Sequence, residues 1–211
     1  MLFRSPLLVL FASDGGITEK LAKKFVTRAR ARGVAARVLA FDDLPIEDLA
    51  LETNVVFLTS VAGQGEFPQN GRDFWKAIQA GKIADLSNVL FSVFGLGDSH
   101  YWPRKEDAHY YNKPAKDLNK RILDLGAQVL VEMGLGDDQD PDGPQTAYKI
   151  WEPAMWKALG VDDVESTEPE LEPITNEHIK IASNFLRGTI VEGLQDKSRS
   201  EEHTSELQSP S

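Results

Sequence analysis

Residues 7–11 (LLVLF) form an unbroken apolar run, the pattern of a strand buried on both faces. Polarity changes abruptly at residues 13–16 (SDGG). Ile17, Leu21, Phe25 and Ala29 then recur every four positions, one face of a helix. Arg28, Arg30 and Arg32 crowd its end, where cations favour the helix dipole, and Gly33 stops it. The alternation continues along the chain. Residues 36–41 and 54–59 (NVVFLT) predict second and third strands, with a short helix over 44–51 between them. A helix over 70–80 puts Phe74 and Ile78 on one face, and 88–94 (NVLFSVF) is a fourth strand. The spacing over 113–125 turns Leu118, Ile122 and Leu125 inward, with Gly126 as the stop. Residues 128–133 (QVLVEM) predict a fifth strand, and 146–159 a last helix carrying Ile150, Trp151 and Met155. Five strands alternating with helices make an α/β fold, a doubly wound five-stranded parallel sheet covered by helices on both faces.

After Gly160 the pattern stops. Residues 161–173 (VDDVESTEPELEP) are acidic and proline-bearing, which reads as a linker. Helical spacing resumes over 176–186, with Ile179, Ala182, Phe185 and Leu186, and reads as the start of a second, truncated domain. Residues 199–211 (RSEEHTSELQSPS) carry no apolar period and resemble the in-frame translation of a sequencing-library adapter. The domain boundaries are therefore 6–160, 161–173, 174–198 and 199–211.

Composition narrows the chemistry. The 211 residues include no cysteine, which excludes disulfides, thiolate metal sites and cysteine nucleophiles within this sequence. A formal charge of −10 argues against nucleic acid or an anionic membrane as partner and suits docking to a basic protein surface. No apolar run approaches the ~20 residues of a membrane span. The short apolar N-terminal stretch is better used as the first strand than as a signal peptide, so the expected location is cytoplasmic. The four histidines, at 100, 109, 178 and 203, form neither HxH nor HExxH, so no metal site is expected. No catalytic residue set stands out.

In an open parallel sheet, ligands bind beyond the carboxyl ends of the strands. The loops after strands one, three and four are the ones that matter. The first, Ser13, Asp14, Gly15, Gly16, Ile17 and Thr18, offers a helix start with unpaired N–H groups and two hydroxyls, which suits a phosphate; a plain capped turn is the bland alternative. It is neither GxxxxGK[ST] nor GxGxxG, so a nucleoside triphosphatase or a dinucleotide site is not expected. The second, 59–70 (TSVAGQGEFPQN), is shaped by spaced glycines and a proline. The third, 94–103 (FGLGDSHYWP), sets Tyr101 and Trp102 just past a strand end, where a tyrosine can stack on a flat ring or pack under a loop.

Taken together, these loops resemble the flavodoxin-like FMN domains of diflavin reductases and of NADPH-sulfite reductase. Residues 13–18 match the phosphate loop, 59–68 the second flavin loop, 94–101 the third, and 134–138 (GLGDD) with Trp151 and Trp156 the domain end. Residues 174–194 resemble the opening of the sulfite reductase hemoprotein, and a flavodoxin-like domain running into it is the arrangement of the fungal NADPH-sulfite reductase beta-subunit family. The long insertion 102–114 fits that family too.

The resemblance implies strand order 2-1-3-4-5 and FMN as cofactor. Ser13 to Thr18 would hold the phosphate. Ser60, Val61, Ala62, Gly63, Leu96, Gly97 and Asp98 would line the ring, and Tyr101 would stack on it. It implies electron transfer from an FAD/NADPH-binding flavoprotein subunit to a siroheme and iron–sulfur centre, housed in the hemoprotein domain of the full-length chain, for reduction of sulfite to sulfide. Two positions depart from the family pattern: Gly15 stands where threonine is usual, and Ala62 where many relatives carry an aromatic. They leave open a degenerate docking or structural module without FMN. The FMN domain of another diflavin reductase is a third reading, which the residues after Pro173 do not resemble.

Overall fold

The first strand, β1 (Leu7–Ala12), is buried along its whole length, and its alternate side chains feed two separate cores. Leu8, Leu10 and Ala12 point to one face, with Phe41, Phe74, Ile78, Leu118 and Ile122. Leu7, Val9 and Phe11 point to the other, with Phe25, Val26, Trp151, Met155 and Trp156. A strand that must satisfy both faces has no place for a polar residue, which is why LLVLF is continuous. The computed structural model describes residues 6–102 and 104–164.

Helix α1 (Ile17–Ala31) follows β1, then β2 (Ala36–Ala40), β3 (Asn54–Ser60), α2 (Arg72–Gln79), β4 (Leu90–Gly97) and α3 (Lys113–Asp124). The described chain closes with β5 (Gln128–Val129), β6 (Gly134–Asp137) and α4 (Gln145–Ala158). The described strands all pair in parallel, in the order β2-β1-β3-β4-β5, with β6 also on β4. Helices α1 and α4 cover one face, and α2 and α3 the other. Phe25 stacks on Trp156 at 4.6 Å between the first pair, and Trp151 donates its indole N–H to the buried Ser92 hydroxyl at 2.9 Å. The doubly wound sheet in the order 2-1-3-4-5 is therefore as the sequence implied.

Two elements differ from the sequence pattern. The stretch 44–51 is not an α-helix: it carries one 3-10 turn, Ile46–Leu51, just after another at Phe41–Asp43, and only Leu44 and Leu49 are buried within it, too few for an amphipathic face. The fifth strand is also interrupted. Leu90 faces Gln128 but Phe94 faces Gly134, so four steps along β4 span six along its neighbour. That bulge lets pairing resume at Gly134, where a side chain would collide with Phe94 and Trp151. Strand β4 also runs beyond Phe94 to Gly97, so Leu96 and Gly97 are strand residues rather than loop. The expectations for 174–198 and 199–211, and for most of the acidic linker, lie outside the described residues.

Candidate functional site

Registers place the ends of β1, β3, β4 and β6 along one edge: Ala12 lies beside Thr59, Ser60 beside Leu96, and Leu96 beside Gly136. The loops leaving these strands therefore converge. They enclose a cavity of about 600 Å³. Ser13, Gly15, Ile17 and Thr18 line it from the first loop, Ser60, Val61 and Gly63 from the second, and Leu96, Gly97, Asp98 and Tyr101 from the third. Three expected site residues, Asp14, Gly16 and Ala62, are not on its wall, and each has a structural reason.

Gly16 caps α1 with φ +77, a left-handed backbone that glycine adopts without strain, and its N–H donates to Ser13 Oγ at 2.9 Å. Asp14 is turned to the neighbouring turn, where Oδ1 accepts the Gln69 N–H at 2.7 Å. Its charge is thus committed away from the helix start. Asn70 Oδ1 accepts the Ser13 N–H at 2.8 Å, so one short turn at 69–70 braces the start of the first loop through two adjacent residues. Ala62 closes a small bridge with Glu66, each N–H donating to the other's carbonyl at 2.9 Å.

Thr18 is the telling residue. It sits in the first turn of α1, 1% exposed, and its hydroxyl oxygen has no hydrogen-bond partner. A buried hydroxyl left unpaired costs on the order of 1–3 kcal/mol. Around it are the first N–H groups of α1, which have no carbonyl within the helix to bond. Orphaned donors, a buried hydroxyl and a helix dipole at one point fit an oxyanion such as a phosphate. The Gly15 position is open: a Cβ there would meet nothing within 4 Å.

The third loop is held from behind. Asp137, at the end of β6, accepts the N–H groups of Ser99 at 2.9 Å and Gln139 at 3.1 Å. Gln139 returns a bond to Asp98 at 2.8 Å, and Asp138 N–H donates to Gly97 O at 2.9 Å. Partial burial raises the Asp137 pKa, but bonds from Ser99 and Gln139 and the nearby His100 outweigh it and hold the carboxyl below its ordinary value. Asn112, fully buried and left-handed at φ +52, packs against Gly95 and Gly97, where any side chain would strike it, and donates to Gly136 O at 3.0 Å. Beside it, burial and the Asp137 charge raise the Tyr111 pKa, and burial lowers that of Lys116, whose ammonium donates to Tyr111 O at 2.7 Å.

Tyr101 is 64% exposed at the cavity mouth, its ring edge-on to Trp102 at 5.0 Å. A ring so exposed is available to a flat apolar partner. Trp102, Lys20, Lys24, Asp138, Pro144 and Gln145 also line the cavity, and the sequence did not assign them. A helical signal for the two lysines exists: Ile17, Lys20, Leu21 and Lys24 fall on one face of α1. Asp137 and Asn112 had no such signal, because they act through partners far along the chain.

The sequence profile of the flavodoxin family matches residues 9–151. The chain is 60% identical over 193 residues to the sulfite reductase [NADPH] subunit beta of Schizosaccharomyces pombe and 57% identical to that of Saccharomyces cerevisiae. Each match covers 92% of this chain and 13% of the relative, so the chain spans a small part of those subunits. It is 38% identical to an NADPH-dependent diflavin oxidoreductase 1 of Arabidopsis thaliana, over 72% of this chain and 24% of that one. A flavodoxin from Pseudomonas aeruginosa superposes with a TM-score of 0.61 at 22% identity, covering 74% of this chain and 99% of that one.

Proposed function

Because the chain belongs to the flavodoxin family, we propose that residues 6–160 bind FMN and relay electrons within an NADPH-dependent sulfite reductase. In this reading an FAD/NADPH-binding flavoprotein subunit supplies the electrons, and a siroheme and iron–sulfur centre elsewhere in the full-length protein receives them and reduces sulfite to sulfide. A cytoplasmic location belongs to the same proposal; among the described residues no helix is long and apolar enough to cross a membrane. The identity to the two fungal beta subunits supports the assignment, since it runs over 193 residues and thus past the flavodoxin-like part, whereas the diflavin oxidoreductase match spans 156.

The observation that carries the FMN reading is the orphaned hydroxyl of Thr18, a first-turn residue of α1 on the wall of the cavity that Tyr101 borders. Ser13, Thr18 and the first-turn N–H groups would hold the phosphate. Ser60, Val61, Gly63, Leu96, Gly97 and Asp98 would surround the ring system, and Tyr101 would pack on it. Bound FMN would supply reversible one- and two-electron transfer, which no side chain here offers. The protein's part is to bind and orient it, to exclude water from one side, and to hold the ring loop through Asp137.

The test is a titration of the full chain with FMN, following flavin fluorescence. Saturable quenching in the micromolar range is expected, and Thr18→Ala should weaken it about tenfold, the cost of one hydrogen bond to a charged group. A chain that leaves the fluorescence unchanged would sink this proposal. It would favour the docking module without FMN, a reading that rests on Gly15 and Ala62.

A further inference from the structure

The phosphate cradle contains no cation. Residues 13–18 hold only Asp14, and that carboxylate is committed to Gln69 N–H. Yet the wall of the same cavity carries Lys20 and Lys24, from the first two turns of α1. Neither side chain makes a hydrogen bond or an ion pair among the described residues, whereas Lys23 between them pairs with Glu19. Lys20 is the fourth residue of the helix, where a cation opposes the positive end of the dipole. An uncompensated cation there is unfavourable unless an anion sits in front of it. Helical side chains lean toward the N-terminus, a direction that runs toward the cradle from both lysines, which lie about 3 and 9 Å along the axis beyond Thr18.

We infer that Lys20 and Lys24 form the cationic wall of the phosphate site and select the phosphorylated flavin over the unphosphorylated one. Backbone dipoles and the Thr18 hydroxyl fix where the phosphate oxygens sit. The lysines supply the net charge that draws a dianion into a protein of formal charge −10. Both are exposed, so their action is long-range and screened by salt. This inference rests on the FMN reading and adds a specificity element to it.

The experiment compares FMN, riboflavin and inorganic phosphate on the full chain and on the K20Q/K24Q double variant, at low and at physiological ionic strength. Binding is followed by flavin quenching, with phosphate as competitor. The double substitution should weaken FMN about fivefold at low salt, with a smaller effect at physiological salt, and should leave riboflavin affinity unchanged. Inorganic phosphate should compete with FMN less well against the variant. Equal losses for FMN and riboflavin, or no loss for FMN, would overturn the lysine assignment while the FMN reading stands. A wild-type chain that binds riboflavin as tightly as FMN would also overturn it. A wild-type chain that binds neither flavin would overturn both.

Discussion

At the scale of the residue, Gly15 and Thr18 carry opposite messages. Thr18 presents an unpaired buried hydroxyl, which is an invitation to an anion; Gly15 lacks the hydroxyl that threonine would add. The space at Gly15 is empty, and its backbone is not in the left-handed region, so nothing in the fold requires glycine there. Gly15→Thr should therefore fold normally and tighten FMN about fivefold, by one added hydrogen bond of ~1 kcal/mol. Unchanged or weaker binding in the titration would mean that the phosphate does not reach this position. Gly16 is the opposite case, since φ +77 restricts it. Both glycines were equally visible in the sequence. Only their dihedral angles and surroundings separate a required glycine from a replaceable one.

At the scale of the element, the ring loop depends on β6. Asp137 accepts from Ser99 and Gln139 as an ionised carboxylate, and its pKa lies below the ordinary 3.8. A depressed folded value means that the stabilisation is complete above pH 3.8 and is lost as the pH falls below it through the folded value. Asp137→Asn should thus lower the thermal midpoint at pH 6, and the gap to wild type should shrink at pH 3. An equal gap at both pH values would show that the charge is not what holds the loop. The sequence showed GLGDD but could not say which of its acids was structural. The answer depends on a two-residue bulge that realigns Gly134–Asp137 with the end of β4, and apolar periodicity carries no register information of that kind.

At the scale of the whole molecule, the cavity is an assembly of four strand ends, and a ligand in it would join both halves of the sheet edge. A ligand that binds only the folded state stabilises it by mass action, about 2.7 kcal/mol at a hundred times its dissociation constant. FMN at that excess should raise the thermal midpoint of the full chain by roughly 5–10 °C. Riboflavin at the same concentration should raise it less. Equal shifts for the two would remove the phosphate from the account of binding.

The sequence by itself determined the α/β alternation, the two-sided burial of β1 and the three loops that meet at the site, because each follows from local period and turn chemistry. The 13–18 loop and Tyr101 stood out by residue type at strand ends, and their expected roles came from the resemblance to flavodoxin-like domains. The tertiary structure alone decided that Asp14 turns away and that Asp137 and Asn112 brace the ring loop. These depend on contacts between segments as far apart as Asp14 and Gln69, or Ser99 and Asp137. A hydrogen bond between distant residues leaves no periodic trace in either one.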